Sequence, residues 1–399
     1  MSSNEMSRNL FSYRHDQLEF AGINLSSLPE VQDYSEPFLI YKKSLITERI
    51  KWVKSWRKLH QLHFAVKANF HPLILKLFVE HGCGLDVVSG GELRAGLEVG
   101  FKPMDFIFSG VGKTQHELEF AIDLNIYQIN VESPSELRRI AAISRVKNKS
   151  VAIGLRVNPL IETPTHPYIS TALKDSKFGI DLTDVPECLD IIKNNPLLQF
   201  KCLSFHIGSQ ILEPQIFRET VDKMKVYFFD LKHDFASLDR MDLGGGLGID
   251  YKDHNVAHDL SRWMHLTAEY DQALSNFNAN IVCELGRFMV ARSGVFISQV
   301  QYIKNQNMIV LDLGMNNNMR PSLYQAHHHF YNLIKKNDKR KIYSLVGPIC
   351  ESSDVFHKSF ELFETHENDL LVMADCGAYV RSMASEYNLK NMAHEIFID

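Results

Sequence analysis

The sequence predicts an α/β protein in which a (β/α)8 barrel of the TIM type precedes a domain made of β-strands. Between His63 and Gly286, eight short apolar runs rich in β-branched residues alternate with stretches of helical spacing. After Gly286, strand-like runs follow one another with no helical stretch between them. Continuous apolar runs are typical of parallel strands buried on both faces, and eight strand and helix units are the number that closes a barrel.

Each predicted barrel strand ends at a polar or glycine corner. The eight strands are 63–69, 84–89, 106–110, 127–131, 151–158, 202–208, 240–246 and 280–286. One helix start is especially clear, because Ser133, Pro134 and Glu136 are typical of an N-cap, a first helical residue and an acidic first turn. A second helix is predicted over 92–99. An open doubly wound sheet is the alternative that this pattern leaves open.

The remaining strands predict a second domain. They are 295–303, 308–314, 342–347 and 369–379, and the N-terminal run 36–41 is also strand-like. Consecutive strands without intervening helices indicate antiparallel pairing. We therefore expect an N-terminal segment (1–45) that joins the β-domain, a barrel (46–290) and a C-terminal antiparallel β-domain (291–399).

Composition excludes several classes of protein. Of the 399 residues, 45% are hydrophobic and 23% are charged, which is the balance of a globular protein, and the net charge of −5 argues against a nucleic-acid surface. No apolar run approaches the roughly 18 residues of a membrane span, and the N-terminus lacks an apolar signal segment. We expect a cytoplasmic protein that binds neither nucleic acid nor membrane.

Neither the cysteines nor a histidine tract predicts a metal site. The six cysteines are scattered and form no CxxC pair, so neither a disulfide framework nor a zinc site is expected. The tract 327–329 contains three adjacent histidines, but adjacent residues do not share one face of a helix or strand. We interpret this tract as a partly exposed helix start.

Chemistry in such a barrel is expected at the C-terminal ends of the strands. Lys67 ends the first predicted strand, where it is either an edge residue whose ammonium reaches solvent or a buried amine. His206 and Ser209 follow the sixth strand, and Glu284 ends the eighth. A carboxylate near the barrel axis needs a cationic partner.

A glycine triplet, Gly244 to Gly246, follows the seventh strand, and barrels commonly bind phosphate after strands seven and eight. An amine nucleophile, a phosphate loop, a ring that can stack and a carboxylate are together what pyridoxal phosphate (PLP) requires. The strand ends therefore predict PLP as the cofactor, with Lys67 holding it and Glu284 keeping its ring nitrogen protonated.

Motifs along nearly the whole chain carry a resemblance to a known family. They are FAVKAN at Lys67, GLDVVSGGEL at Asp86, RVNP at Arg156, a motif from Thr165 to Gly179, FHIGSQI at His206, DLGGGLGIDY at Gly244, E-GRF at Glu284, GMNNNMRPSLY at Arg320, VGPICESSDVF at Cys350 and GAY at Tyr379. The chain resembles the fold type III PLP-dependent decarboxylases, whose barrel is alanine-racemase-like. Within them it most resembles the diaminopimelate decarboxylases.

This resemblance implies roles for individual residues. Lys67 is implied to be the Schiff-base lysine, His206 to stack on the cofactor ring and Glu284 to pair with the ring nitrogen. The other implied cofactor contacts are Asp86, Ser209, Gly244, Gly245, Gly246, Gly286, Arg287 and Tyr379. The resemblance also implies a homodimer in which Cys350, the proton donor, and Glu351 act in the partner's active site.

Charge favours diaminopimelate as the substrate, which would yield L-lysine. Its distal end carries a carboxylate as well as an ammonium, so Arg287, Arg320, Tyr324 and Tyr379 are expected to bind the substrate, with Glu351 accepting from the ammonium. Decarboxylases of carboxynorspermidine, ornithine, lysine or arginine remain alternatives on the same fold. Retention of Lys67, Glu284, Cys350 and the glycine loop argues against a catalytically silent regulator. An amino-acid racemase needs a second base opposite the lysine, and Cys350 with Glu351 fits a decarboxylase better.

Overall fold

The computed structural model describes residues 9–160 and 176–399. The first element in this part of the chain is a small antiparallel sheet. Its strands are β1 (Phe11–Arg14), β2 (Gln17–Phe20) and β3 (Ile23–Asn24). The elements that follow are α1 (Pro29–Gln32), β4 (Phe38–Lys42) and α2 (Lys43–Lys54). The sequence did not indicate this first sheet, because its strands are too short to show a period. The motif from Thr165 lies outside the described residues as far as Asp175.

Eight parallel strands close into a barrel, as predicted. They are β5 (Leu59–Ala65), β6 (Gly84–Val87), β7 (Phe106–Phe108), β8 (Gln128–Val131), β9 (Val151–Arg156), β10 (Leu198–Ser204), β11 (Arg240–Asp242) and β12 (Asn280–Leu285). The last strand pairs with the first, with Glu284 opposite His63. Because this pairing leaves no open edge, the alternative of an open doubly wound sheet is wrong.

Helices alternate with these strands. They are α3 (Pro72–Glu80), α4 (Gly90–Glu98), α5 (Gln115–Leu124), α6 (Pro134–Lys147), α7 (Val185–Lys193), α8 (Pro214–Asp234), α9 (Val256–Ala273) and the short α10 (Arg287–Val290). The predicted N-cap at Ser133 is confirmed, because its hydroxyl accepts a hydrogen bond from the N–H of Glu136 and Pro134 occupies the first turn. None of the described helices is long and apolar enough to cross a membrane.

A mixed sheet forms the second domain. Its elements are β13 (Gly294–Lys304), β14 (Met308–Leu311), α11 (Arg320–Tyr324), β15 (Phe330–Asn332), β16 (Arg340–Val346), β17 (Val355–Phe363), β18 (Leu370–Met373) and β19 (His394–Ile398). The N-terminal strand β4 pairs with β13 and β19, so the prediction that the N-terminal segment completes this sheet is confirmed. Purely antiparallel pairing was wrong, because β14 with β16 and β19 with β4 are parallel. In both pairs the intervening chain is long enough to return in the same direction.

The described chain divides into two compact units. The β unit combines the described part of Met1–Thr47 with Ile249–Ser261 and Val290–Asp399, and the barrel unit comprises the remainder. The boundaries predicted from sequence did not anticipate the segment Ile249–Ser261, which follows strand seven and resembles an ordinary barrel connection. Buried charges hold it: Nε of Arg292 donates to Asp259 at 2.9 Å and Nη1 donates to Asp375 at 3.1 Å.

Candidate active site

All eight barrel strands have a polar side chain at or just beyond their C-terminal ends. In chain order these residues are Lys67, Asp86, Ser109, Asn130, Arg156, His206, Asp242 and Glu284. Parallel strands end on the same face of a barrel, so one face gathers all eight groups. Sequence reasoning assigned no role to Ser109, Asn130, Arg156 or Asp242, because a single polar residue in an apolar strand is not distinctive.

Lys67 and Asp86 form an ion pair at the mouth of the barrel. Nζ of Lys67 lies 3.7 Å from Oδ2 of Asp86, and the two side chains are 43% and 1% exposed. Lys67 is therefore the edge residue of the two alternatives, and its ammonium is accessible to a small molecule. Among the described residues, neither carboxylate oxygen of Asp86 has a hydrogen-bond partner. Such a buried carboxylate can accept further donors or a further positive charge.

Three acidic groups share this region. Oε1 of Glu284 accepts hydrogen bonds from Asn130 (3.1 Å) and from the Ser109 hydroxyl (3.4 Å). Burial, reinforced by the carboxyls of Asp242 and Asp86, raises the pKa of Glu284 well above its usual range. Burial raises the pKa of Asp242 as well. The carboxylate forms of these acids lack sufficient cationic partners, so a positively charged ligand atom beside Glu284 would be stabilised.

His206 presents a neutral ring to this face. Its Nδ1 accepts a 3.1 Å hydrogen bond from the N–H of Gly245, which assigns the ring proton to Nε2. Burial, followed by the charges of Arg156 and Lys67, lowers the pKa of His206 well below its ordinary value. The ring is thus held in one orientation and uncharged, which suits it to stack on a flat cofactor.

The glycine loop after strand seven packs closely against its neighbours. Gly244 and Gly246 have φ values of +63° and +111°, and a Cβ atom at Gly245 would lie 2.1 Å from the carbonyl oxygen of Glu284. Glycine is therefore required at these positions. The N–H of Gly244 donates to Asp242 at 2.8 Å, and that of Gly245 donates to His206. Two of the three amides thus orient protein groups, and the loop is less open to an anion than the sequence indicated.

A cation lies beside this loop. Nη2 of Arg287, a residue only 5% exposed, donates to the hydroxyl of Ser209 at 3.1 Å. The preceding Gly286 allows strand eight to approach strand one, because a Cβ there would lie 3.1 Å from that of Ala68. The guanidinium and the hydroxyl together form a site suited to phosphate or carboxylate.

A buried ion pair ties three of the strand ends together. Nη1 of Arg156 donates to Oε1 of Glu132 at 2.6 Å, and both side chains are largely buried. The same carboxylate accepts from the N–H groups of Gly110 (3.1 Å) and Gly179 (2.8 Å). This arrangement explains the RVNP motif as a support for the loops of the site.

The predicted substrate residues Arg320 and Tyr324 are in contact within the β unit. Arg320 is 2% exposed, its Nε donates to the Tyr324 hydroxyl at 2.8 Å, and its Nη1 donates to Nε2 of His328 at 2.7 Å. Nδ1 of His328 bonds the carbonyl of Ala374 at 2.8 Å, so this ring carries its proton on Nδ1. The interpretation of 327–329 as a partly exposed helix start was wrong, because these residues lead into β15 and His328 is 1% exposed.

The other predicted residues of the β unit lie on loops. Cys350 is exposed, and its backbone N–H donates to Asn388 at 2.8 Å. Glu351 is also exposed, and it accepts from the Tyr387 hydroxyl at 3.3 Å. Tyr379 is partly buried and has a φ of +64°. All six cysteines are free thiols, and no group of metal ligands occurs within residues 9–160 and 176–399.

The structure therefore gathers the predicted residues into two sets. The barrel set is Lys67, Asp86, His206, Ser209, Gly244, Gly245, Gly246, Glu284, Gly286 and Arg287, and the β-unit set is Arg320, Tyr324, Cys350, Glu351 and Tyr379. A comparison with protein families supplies the decisive observation: residues 43–291 match the family described as "Pyridoxal-dependent decarboxylase, pyridoxal binding domain". The chain belongs to this family of decarboxylases.

Comparison with individual relatives shows to which group within the family the chain belongs. It is 35% identical to the diaminopimelate decarboxylase of Aquifex aeolicus over 97% of this chain and 92% of the relative. It is 37% identical to that of Helicobacter pylori over 92% and 91% of the two chains. Within its family the decarboxylase therefore belongs to the diaminopimelate decarboxylases.

Solved structures agree with this placement. The Helicobacter pylori enzyme, crystallised with L-lysine, superimposes on the decarboxylase with a TM-score of 0.86 at 36% identity, covering 92% of this chain and 93% of that one. The M. jannaschii enzyme, also in complex with L-lysine, gives a TM-score of 0.87 at 29% identity, with 97% and 92% covered. The barrel and the mixed sheet are thus the fold of these relatives.

Proposed function

We propose that the chain decarboxylates meso-diaminopimelate to L-lysine, with PLP bound through Lys67. The reaction releases one carboxylate as CO2 and adds one proton to the same carbon. The observation that carries the proposal is the combination of an accessible lysine with an excess of buried acid beside it, in a member of the diaminopimelate decarboxylase group.

The barrel set fits the cofactor. The oxygens of Asp86 and Oδ2 of Asp242 lack hydrogen-bond partners among the described residues, and a protonated ring nitrogen would supply the missing cation beside Glu284. When bound, PLP supplies an aldehyde for the amines and a ring that withdraws electrons from the reacting carbon. His206 offers its neutral ring for stacking, and Arg287 and Ser209 offer donors to the phosphate.

The β-unit set supports the choice of substrate. Arg320 is already held by Tyr324 and His328, and its guanidinium can read a distal carboxylate that lysine, ornithine and arginine do not have. Glu351 provides an acceptor for the distal ammonium. A basic amino acid would meet a repelling guanidinium at that end, which favours diaminopimelate over the other decarboxylase substrates.

A homodimer with shared active sites completes the proposed mechanism. Of the six thiols, Cys350 alone is exposed, and Glu351 beside it is exposed too. Exposure on one subunit suits groups that act in the neighbour's site, where Cys350 would deliver the proton to the carbon that loses CO2. Free thiols throughout the chain also support a cytoplasmic location, where thiols are kept reduced.

Product analysis tests this proposal. The protein loaded with PLP is incubated separately with meso-diaminopimelate, L-lysine, L-ornithine, L-arginine and carboxynorspermidine, and CO2 and amine products are quantified. We expect L-lysine and CO2 in equal amounts from meso-diaminopimelate, with much slower reaction of the others. A higher kcat/KM for any other substrate would replace the assigned one. Failure of the purified protein to acquire a PLP absorbance band on incubation with PLP would support a silent regulator.

A further inference from the structure

A chain of side-chain hydrogen bonds runs through the barrel interior and ends on Glu284. Nη1 of Arg240 donates to Oε1 of Gln128 (3.2 Å), and Nε2 of Gln128 donates to Oδ1 of Asn130 (2.7 Å). Nδ2 of Asn130 then donates to Oε1 of Glu284 (3.1 Å) and to the hydroxyl of Ser109 (3.1 Å). Gln128 and Asn130 are completely buried. We call Arg240, Gln128 and Asn130 the polar column.

The chemistry of Arg240 fixes the direction of this column. A guanidinium only donates hydrogen bonds, so Gln128 must turn its carbonyl oxygen towards Arg240 and its amide nitrogen towards Asn130. Asn130 must then accept through its oxygen and present its own NH2 group to Glu284. Arg240 itself is held by a 3.1 Å bond to Asp239 and lies 3.9 Å from the ring centre of Tyr127.

A glycine in the neighbouring strand makes room for the column. A Cβ atom at Gly154 would lie 2.5 Å from Oδ1 of Asn130 and 2.8 Å from Nε2 of Gln128. Any larger residue would displace both amides. The column therefore occupies space that the strand itself leaves open.

The donor at the end of the column acts against the surroundings of Glu284. Burial and the carboxyls of Asp242 and Asp86 favour the protonated form of this side chain. An N–H donor stabilises the carboxylate, because only the charged form accepts at full strength. Asn130 and Ser109 both donate to Oε1, and this fixes the orientation of the carboxyl group beside Asp242.

We propose that Asn130 is a positioning residue for the cofactor, which orients Glu284 towards the ring nitrogen and favours its ionised form. The inference rests on the proposed pairing of Glu284 with that nitrogen. Asn130 is completely buried and acts through its hydrogen bond to Glu284. Arg240 and Gln128 contribute by fixing which end of the Asn130 amide meets the carboxylate.

The test compares binding of PLP with binding of an analogue that has carbon in place of the ring nitrogen. Apoprotein is titrated with each compound and the two dissociation constants are measured by absorbance. The variants are Asn130→Asp, which keeps the shape and removes the donor, Asn130→Ala, and Glu284→Gln. The matched control is Asn195→Ala, which removes another buried amide that bonds Ala141 and Ser144 instead.

We expect wild type and Asn195→Ala to prefer PLP over the analogue by about 10- to 100-fold, the usual effect of one hydrogen bond to a charged group. Both Asn130 variants should lose most of this preference, even where overall affinity changes little. If the Asn130 variants keep the full preference while Glu284→Gln loses it, the role of Asn130 is overturned and the pairing of Glu284 with the ring nitrogen stands. Retention by Glu284→Gln as well would overturn the pairing of Glu284 with the ring nitrogen.

Discussion

Arg320 donates through Nη1 to Nε2 of His328, at 2.7 Å, in a site where the guanidinium is almost completely buried. Burial of a cation is costly unless its donors are satisfied. The neutral His328 ring satisfies one, and burial together with the nearby guanidinium lowers the pKa of His328 well below its ordinary value. Arg320 is therefore preorganised by the protein. Because its side chain is already fixed, it loses less rotamer entropy on binding a ligand than a mobile arginine would.

Substitution of Arg320 tests whether it reads the substrate. Arg320→Ala should weaken transition-state binding of meso-diaminopimelate by about 2 to 4 kcal/mol, while the slow reaction of lysine changes little or improves. The measurement is the ratio of kcat/KM for the two substrates, which cancels general damage. Arg340→Ala, which removes an exposed partner of Glu361 in the same unit, is the control. Equal losses of kcat/KM for both substrates would indicate that Arg320 supports the structure and does not recognise the substrate.

Lys67 is expected to be the lysine that binds PLP covalently. Lys67→Ala should abolish the adduct trapped by borohydride and lower turnover by several orders of magnitude, because its accessible amine lies at the mouth of the barrel. Peptide mapping of the reduced wild-type protein identifies the labelled residue. Label on any other lysine would remove Lys67 from the mechanism.

Shared active sites predict complementation between two inactive variants. Lys67→Ala and Cys350→Ala proteins should each be inactive, whereas a mixture that has exchanged subunits should recover about a quarter of wild-type activity. Half of the dimers are then mixed, and each mixed dimer has one site without either change. Native mass spectrometry verifies the exchange. A mixture that exchanges subunits but stays inactive would contradict the shared-site proposal.

The buried charges around Arg292 should be important for stability. Arg292→Leu leaves Asp259 and Asp375 buried without their cation and should reduce the free energy of unfolding by about 3 to 5 kcal/mol. Arg138→Ala removes an exposed ion pair with Glu187 and should cost at most about 1 kcal/mol. Urea unfolding of both variants supplies the comparison. Similar losses would mean that the Arg292 network contributes no more than a surface pair.

Two histidines of the β unit predict a loss of stability in acid. Burial, with neighbouring histidines, lowers the pKa of both His327 and His329 to about 4. The unfolded chain, with a pKa near 6.5, therefore binds more protons than the folded chain between about pH 6.5 and pH 4. Stability should fall as the pH falls through this window, by at most about 1.4 kcal/mol per pH unit for each ring, and these groups should contribute nothing above it.

The measurement is the free energy of unfolding from pH 7 to pH 4 for wild type and the double variant His327→Gln and His329→Gln. The variant should show the shallower dependence on pH. The raised pKa values of Glu284 and Asp242 act in the opposite direction but are common to both proteins, so they cancel in the difference. Parallel curves would exclude these two histidines as a source of acid sensitivity.

Sequence reasoning recovered the barrel because buried parallel strands leave continuous apolar runs that repeat. It also placed Lys67, His206 and Glu284 at the ends of barrel strands, where the structure has them, since each lies at the end of such a run. Strand direction in the second domain was not recoverable, because a strand with one buried face has the same pattern whether its neighbour is parallel or antiparallel.

The supporting residues were beyond the reach of sequence reasoning for a different reason. Asn130 acts on Glu284, 154 residues away, and His328 acts on Arg320, 8 residues away. No local sequence spacing indicates either contact. The segment Ile249–Ser261 was assigned to the barrel because it follows a barrel strand. Buried contacts distant in sequence, from Arg292 to Asp259 and from His254 to Asp375, connect it to the β unit.

Strand β4 has a consequence for how the protein is made. It is completely buried, yet its partners are β13 and β19, and β19 is the last strand of the chain. At the usual speed of synthesis, about 5 to 20 residues per second, the ribosome needs roughly 20 to 70 seconds to produce the final partner. For most of that interval β4 has no native strand to pair with, because β13 follows the whole barrel in the chain and β19 comes later still. We therefore expect chaperone demand during translation to arise mainly from the N-terminal strand.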